Sequence, residues 1–190
     1  ALERAGVLED TIVIFTSDHG DALGDHGMVF KSFFYESMVH VPLIVRDGVN
    51  KGRRGALVGT LDVVAYMHEI LGGDASTVQG SSIGPLLKDP AAEINSHVFS
   101  EMPGRFMVFD GRFKYIHAQD GGHELFDLES DPDELTNIVG APESTTRVAA
   151  LREALIAHQM ESTRRYSRSR SAVAYPPRLQ MEADYRAGRA

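Results

Sequence analysis

The stretch from Ser17 to Gly27 concentrates side chains that can bind a metal ion. It reads Ser-Asp-His-Gly-Asp-Ala-Leu-Gly-Asp-His-Gly. Asp18 and His19 are neighbours in it, and a carboxylate beside an imidazole suits a divalent cation: the His binds through one ring nitrogen and the Asp through one or two oxygens. Two ligands do not complete a metal site, so the remaining ligands must come from elsewhere in the protein.

Lys31 adds a positive charge shortly after this stretch. A lysine ammonium is a compact point charge, so it suits an anionic group bound to the same cation. The alternative is that Asp18 and His19 only order a turn and that Lys31 is a surface lysine. The residue types alone leave both interpretations open.

The preceding residues predict the edge of an α/β sheet. Residues 11–16 form a run of β-branched and aromatic residues, typical of a strand buried on both faces as in a parallel sheet. The stretch from Ser17 leaves the carboxyl end of that strand, where open α/β sheets place their ligand sites, and Gly20 lets the backbone turn. Residues 42–45 predict a second buried strand, and residues 61–71 predict a helix that ends at a glycine cap.

The second half predicts a small antiparallel sheet and a final helix. Asp110-Gly111 lies between two apolar runs and is a strong hairpin signal. Pro142 can begin a helix whose apolar face carries Val148, Leu151 and Leu155. The sequence from Arg164 is rich in Arg and Ser and predicts an extended tail. The predicted short strands cover residues 97–100, 106–110, 112–118 and 124–128.

We therefore expect three regions. Residues 1–90 are predicted to belong to an α/β domain, residues 91–163 to a small α+β subdomain, and residues 164–190 to the tail. The length of 190 residues fits one ordinary domain or two small ones.

Composition excludes several classes of function. The chain is 43% hydrophobic and 24% charged, the profile of a globular protein, and its net charge of −8 disfavours general nucleic-acid binding. The absence of cysteine excludes disulfides, thiolate metal ligands and thiol nucleophiles. No apolar run approaches the roughly 18–20 residues of a membrane span. The first residues lack a signal-peptide pattern and look like the middle of a longer polypeptide, and nothing indicates a cellular compartment.

Residues 11–45, TIVIFTSDHGDALGDHGMVFKSFFYESMVHVPLIV, resemble the C-terminal signature of type I sulfatases and of the related phosphonate monoester hydrolases of the alkaline-phosphatase superfamily. The segments TLDVVAYMHEILG, VQGSSIGPLL and GRFKYIHAQDGGHELFDLESDPDELTNIV continue the resemblance, which covers roughly residues 1–160 and fades in the tail. It implies an α/β fold: residues 1–90 would be the C-terminal portion of an alkaline-phosphatase-like α/β catalytic domain, followed by a small antiparallel sheet with a packed C-terminal helix.

The resemblance also implies roles for individual residues. Asp18 and His19 match two metal ligands, although many sulfatases carry Asn at the second position, and Lys31 matches the lysine that contacts the sulfate oxygens. The implied cation is Ca²⁺ in a sulfatase, or Mn²⁺ or Zn²⁺ in a phosphonate-type relative. The family's aspartate pair and its formylglycine, made from the Cys or Ser of a Cys/Ser-x-Pro-x-Arg motif, would lie upstream, since this sequence contains no such motif.

We expect the whole protein to hydrolyse small-molecule sulfate esters and the 190 residues alone to be inactive. The alternatives are a phosphonate monoester or phosphodiester hydrolase, or a non-catalytic sulfatase-like binding module. The expected partners are the ester and the missing N-terminal half, with no nucleic acid and no membrane. The tail arginines would be solvated or dock a second copy of the chain.

Other polar residues receive weaker expectations. His26 either approaches the substrate or makes a structural contact in the loop, and Asp21 and Asp25 order the loop. His40 is expected to be a packing residue. In the second half, three histidines are expected to be non-catalytic and two arginines to be surface or interdomain groups: His97, His117, His123, Arg105 and Arg112. Of these, His123 at most lines the entrance to the cleft.

Overall fold

A computed structural model describes residues 1–73 and 78–172 of the chain. The described strands form a two-stranded sheet and a separate four-stranded sheet. Short helices connect them, and a long helix follows the second sheet. Among the described residues, no helix is both long and apolar enough to cross a membrane.

The first sheet pairs β1 (Val13–Thr16) with β2 (Leu43–Arg46) in antiparallel register. Both strands lie where the sequence predicts them, but the expectation of a strand buried on both faces is wrong for the described residues. Ile14 and Val45 pack on one side, whereas Phe15 and Ile44 on the other side are 59% and 61% exposed. Among the residues that the structure describes, one face of this sheet is therefore covered and the other is not.

The covered face packs against two helices, α2 (Thr60–Ile70) and α3 (Gly84–Lys88). Buried Asp62 fixes the start of α2. Its carboxylate accepts hydrogen bonds from the Gly59 and Ser81 amides and from the Asn95 side chain, each 2.7 Å long. A buried carboxylate is tolerated here because its oxygens are hydrogen-bonded.

The second sheet has four antiparallel strands, which lie side by side in the order in which they occur in the chain. The hairpin predicted at Asp110-Gly111 is confirmed: Gly111 has φ 99°, and Asp110 Oδ1 accepts hydrogen bonds from the two amides that follow Gly111. The strands are β3 (Val98–Met102), β4 (Arg105–Phe109), β5 (Phe113–Ala118) and β6 (Glu124–Asp127).

The two faces of this sheet cover different parts of the chain. Val108 and Leu125 pack with Leu151 and Leu155 of the last helix, α4 (Thr145–Ala172), which confirms the predicted sheet with a packed helix. On the opposite face, Met107, Ile116 and Phe126 pack against Phe34. Phe34 precedes α1 (Glu36–Val39), so this face joins the sheet to the segment that follows Lys31.

The last helix is longer than the sequence predicts. The extended tail was expected from Arg164, but α4 continues to Ala172; the rest of the predicted tail, residues 173–190, lies outside the described residues. Arg is a good helix former, and the first proline after Pro142 is Pro176, so nothing stops the helix at Arg164. The sheets and α4 up to Ile156 form one compact unit, and a second unit begins at Ala157.

Candidate metal and oxyanion site

The loop after β1 is held against α1 by its glycine. The Gly20 amide donates a 2.8 Å hydrogen bond to the Met38 carbonyl, and a Cβ on Gly20 would overlap the Ser37 carbonyl oxygen. Gly20 is therefore required because another backbone lies against it. This differs from the sequence-based expectation of a turn, since its φ lies outside the left-handed region.

His19 is oriented by its own loop. Its Nδ1 lies 2.7 Å from the Gly20 carbonyl oxygen, so Nδ1 carries the proton and donates it. Nε2 then keeps its lone pair and lies 3.5 Å from Asp18 Oδ2. Two donors that each bind one cation at about 2.4 Å lie roughly 3–4 Å apart, so the separation fits a shared divalent ion.

Asp18 has the charge and the accessibility of a ligand. The hydrogen bond from the His19 amide, 3.0 Å long, lowers the pKa of the Asp18 carboxyl below its usual value, and the positive charge of Lys31 lowers it further. The side chain is 85% exposed, so an ion can approach the carboxylate from solvent.

Lys31 lies beside this pair. Its Nζ donates a 2.6 Å hydrogen bond to His19 Nε2, so the structure brings all three sequence-predicted groups together. The flanking residues Phe30 and Ser32 both have positive φ, 81° and 103°. Such backbone costs on the order of 1–3 kcal/mol per residue and is concentrated at functional sites.

His26 makes its ring contact with Tyr35 and not with these three residues. It lies in a short 3-10 turn (Asp25–Gly27) and stacks on Tyr35, with the ring centroids 3.8 Å apart and the planes 10° from parallel. The Tyr35 hydroxyl donates to Glu124 Oε2 at 3.3 Å. Burial, followed by the charge of Glu124, raises the pKa of Tyr35 to about 12.

Two neighbouring expectations have different outcomes. Asp21 and Asp25 accept hydrogen bonds from loop amides, as expected of residues that order the loop. His40 is not a packing residue: its side chain is 78% exposed, and its Nδ1 lies 2.7 Å from Glu36 Oε2. The packing prediction failed because the residue follows the end of α1, where the chain reaches the surface.

The candidate residues of the second half pair within their own sheet. The His117 and His123 rings stack with centroids 4.4 Å apart. Arg105 binds Glu124 and Asp120, and Arg112 binds Asp127. His97 lies 2.9 Å from the Ser96 hydroxyl. Each of these five side chains therefore has a local structural partner in the second half of the chain.

A buried ionic network packs against α1, and the sequence did not predict it. Lys114 on β5 is fully buried, and its Nζ lies 2.6 Å from Glu36 Oε1 and 2.8 Å from Glu134 Oε1. Glu134 Oε2 also accepts a 2.6 Å hydrogen bond from the Glu36 amide. Burial raises the pKa of Glu134, and the charge of Lys114 opposes that shift. Glu134 has φ 54°, a left-handed conformation that is uncommon for a residue other than glycine.

The described residues supply only part of a metal site. Within residues 1–73 and 78–172, no group of three or more His, Cys, Asp or Glu side chains is placed to hold a metal ion. Asp18 and His19 could therefore contribute two ligands, and a bound cation would need others from outside this group.

Comparisons with known proteins place the chain among sulfatases. A family model described as N-sulphoglucosamine sulphohydrolase, C-terminal, matches residues 24–161, which include Lys31 but not Asp18 and His19. Arylsulfatase K of Xenopus laevis is 35% identical over 160 residues, covering 74% of this chain and 30% of that protein. The chain spans about a third of the length of the curated relatives it matches.

Two solved structures have a similar fold. A protein in complex with its substrate D-glucosamine-2-N,6-O-disulfate superposes with a TM-score of 0.74 and 27% identity, over 87% of this chain and 36% of that one. The phosphonate monoester hydrolase of Agrobacterium radiobacter superposes with a TM-score of 0.73 and 25% identity, over 84% of this chain and 37% of that one.

Proposed function

Because the chain belongs to the sulfatase family, whose C-terminal domain it matches over residues 24–161, we propose that it is the C-terminal part of a metal-dependent hydrolase of sulfate esters. The observation that carries the proposal is the convergence of Asp18, His19 and Lys31. The site combines a carboxylate, an imidazole lone pair and an ammonium group, the set needed to bind a cation and an oxyanion together.

Asp18 and His19 would hold the cation through Oδ2 and Nε2. We propose Ca²⁺ as the ion, with Mn²⁺ or Zn²⁺ if the protein is closer to the phosphonate hydrolases. A divalent cation in such a site polarises an ester oxygen as a Lewis acid. The hydrogen bond from Nδ1 to the Gly20 carbonyl keeps His19 in the tautomer that a cation requires.

Lys31 would bind the oxyanion of the ester. Its side chain lies in an exposed loop, so the ammonium can leave His19 Nε2 and turn toward a sulfate oxygen. There it would offset negative charge that develops in the transition state. His26 stacks on Tyr35 and, in this proposal, supports the loop; a direct role at the substrate remains its alternative.

The rest of the catalytic apparatus would lie upstream of Ala1. The sequence has no cysteine and no Cys/Ser-x-Pro-x-Arg motif, so we propose that the formylglycine nucleophile and further metal ligands belong to a preceding part of the enzyme. Two observations support this: the chain spans about a third of its relatives, and Phe15 and Ile44 leave one face of the first sheet exposed. We likewise propose residues 1–90 as part of the catalytic domain and residues 91–163 as a separate subdomain.

The test is hydrolysis of an aryl sulfate by the full-length enzyme carrying Asp18→Ala or Lys31→Ala. Loss of one group that stabilises transition-state charge typically lowers kcat about 10²–10³-fold, so we expect Lys31→Ala to lose that much. Asp18→Ala should also weaken binding of the cation, measured by calorimetry. Lys51→Ala, an exposed lysine outside the site, is the matched control. Wild-type rates in both site variants would refute the proposal.

A second candidate activity is hydrolysis of phosphonate monoesters. It is favoured by the structural similarity to the Agrobacterium radiobacter enzyme, since tetrahedral sulfur and phosphorus anions have similar shapes. An assay of the intact enzyme with matched sulfate and phosphonate esters separates the two. A larger kcat/KM for the phosphonate would identify the second activity as the main one.

A further inference from the structure

The position of the Asp18–His19 pair depends on α1. The Gly20 amide is bonded to the Met38 carbonyl of α1, and the Gly20 carbonyl is the group that orients the His19 ring. The close approach of Gly20 to Ser37 leaves no space between the loop and the helix. A displacement of α1 would therefore move the backbone that carries the proposed metal ligands.

The position of α1 depends on contacts with other parts of the chain. It is one turn long, from Glu36 to Val39, and its first residue has no local side-chain cap. Helices this short are unstable without tertiary contacts. The cap comes from a distant residue: the Glu36 amide donates a 2.6 Å hydrogen bond to Glu134 Oε2.

Lys114 holds the two glutamates together. Its ammonium lies between Glu36 Oε1 at 2.6 Å and Glu134 Oε1 at 2.8 Å, and both Lys114 and Glu134 are buried. Without this cation, two carboxylates would face each other in a site largely removed from water. Like charges in such surroundings repel strongly, and a buried carboxylate without a partner is unfavourable.

We propose that Lys114 is a positioning residue for the metal-binding pair. It neutralises Glu36 and Glu134, which keeps Glu134 as the cap of α1, and α1 in turn supports the loop of Asp18, His19 and Gly20. The small C-terminal sheet thereby contributes to catalysis without touching the substrate. The inference rests on the proposed function, because it assigns Lys114 a role in positioning the proposed metal ligands.

The test compares Lys114→Met with Val108→Ala in the intact enzyme. The first replaces the ammonium by an uncharged side chain of similar length. The second is a matched control for lost stability, because Val108 is fully buried in the same sheet but packs toward α4, on the face away from α1. Affinity for Ca²⁺ and for Mn²⁺, kcat and KM are measured for both variants and the wild type.

We expect Lys114→Met to weaken binding of the cation about tenfold or more, the effect of losing a group that supports a metal ligand. Its kcat should fall with the affinity, and hydrogen exchange in a peptide that covers residues 17–21 should accelerate. Val108→Ala should leave the cation affinity, kcat and the hydrogen exchange of this peptide unchanged at temperatures where the variant is folded. Lys114→Arg, which keeps the charge, should restore part of the affinity.

Three results would overturn the inference. Wild-type cation affinity in Lys114→Met, or an equal loss in Val108→Ala, would remove the positioning role while the proposed function stands. A wild-type enzyme that binds no divalent cation would refute the proposed function and the inference together. If Lys114→Met does not fold, Glu134→Gln serves in its place, and unchanged affinity in that variant counts equally against the inference.

Discussion

At the scale of the residue, the orientation of His19 has a consequence for which cation the proposed site would prefer. The nitrogen Nε2, which lies near Asp18 and Lys31, is the proposed ligand, and Nδ1 donates to the Gly20 carbonyl of the loop. Asparagine at this position would offer an amide oxygen in place of the nitrogen. Oxygen donors suit Ca²⁺, whereas imidazole suits Zn²⁺.

We therefore predict that His19→Asn retains most of the affinity for Ca²⁺, whereas its affinity for Zn²⁺ falls about tenfold or more. His19→Ala should lose both. Isothermal titration of the full-length enzyme with each ion measures the difference. Equal losses for the two ions in His19→Asn would contradict the prediction.

A second residue-scale prediction concerns pH. The pKa of Tyr35 is raised to about 12 from an ordinary value of 10.0, by burial and by Glu124. Because the folded-state pKa is the higher one, the contribution of Tyr35 to stability is complete below pH 10 and is lost as the pH rises toward 12. We expect denaturant unfolding to show a decline in stability over this range that is smaller in Tyr35→Phe.

The control is the spectroscopic titration of the phenols. The difference between the wild type and Tyr35→Phe should show one group that ionises near pH 12. A difference titration centred near pH 10 would show that Tyr35 is not held by Glu124.

Individual residues also mark how far sequence reasoning reaches. Asp18, His19 and Lys31 could be selected because they are close in the chain and follow a predicted strand. The network of Glu36, Lys114 and Glu134 could not, because its partners are separated by 78 and 98 positions. A lysine on a strand reads as a solvent-facing residue unless the segment that covers it is known.

At the scale of the element, the contact between Gly20 and α1 predicts the effect of a single methyl group. Gly20→Ala would place a carbon against the Ser37 carbonyl, so the loop or the helix must move. Overpacking of this kind costs typically about 1–3 kcal/mol. We expect that loss in the free energy of unfolding, together with weaker cation binding, in denaturant melts and calorimetry.

Gly55→Ala is the control for this prediction. Its added Cβ would meet no atom within 4 Å, and its backbone is not left-handed. It should be neutral or slightly stabilising, since alanine reduces the freedom of the unfolded chain. A Gly20→Ala variant as stable as Gly55→Ala would show that the loop is not packed on α1.

At the same scale, the apolar pattern of the sequence predicted where the strands lie but not how they pair. The positions of β1 and β2 followed from their apolar runs, and the small sheet followed from its short apolar runs and the turns between them. The antiparallel pairing of β1 with β2, which exposes Phe15 and Ile44, was not encoded in either run. A continuous apolar strand predicts two faces that avoid water, but it does not specify which chain segment covers them.

At the scale of the whole molecule, the distribution of catalytic groups predicts that the 190 residues alone do not turn over substrate. The described residues offer two candidate metal ligands and no larger ligand group. The sequence lacks the nucleophile motif. We expect the purified chain to hydrolyse an aryl sulfate no faster than its Asp18→Ala variant, measured by release of the phenol.

Hydrolysis by the purified chain above the Asp18→Ala background would contradict this prediction. It would show that the nucleophile is among these 190 residues. Restoration of activity by adding the separately produced upstream part would support the proposed division of the enzyme.

The left-handed backbone of Glu134 has a consequence for protein engineering. Glycine would adopt that conformation freely. A residue with a Cβ pays about 1–2 kcal/mol for left-handed backbone, so replacing it by glycine removes that cost from the folded state. Rules of thermostabilisation would therefore nominate Glu134→Gly. The exchange would also leave Lys114 with one fewer buried carboxylate, a loss of about 3–5 kcal/mol when such a pair is broken. A heat-challenge library should accordingly be depleted of glycine at this position, although its torsion angles alone would recommend it.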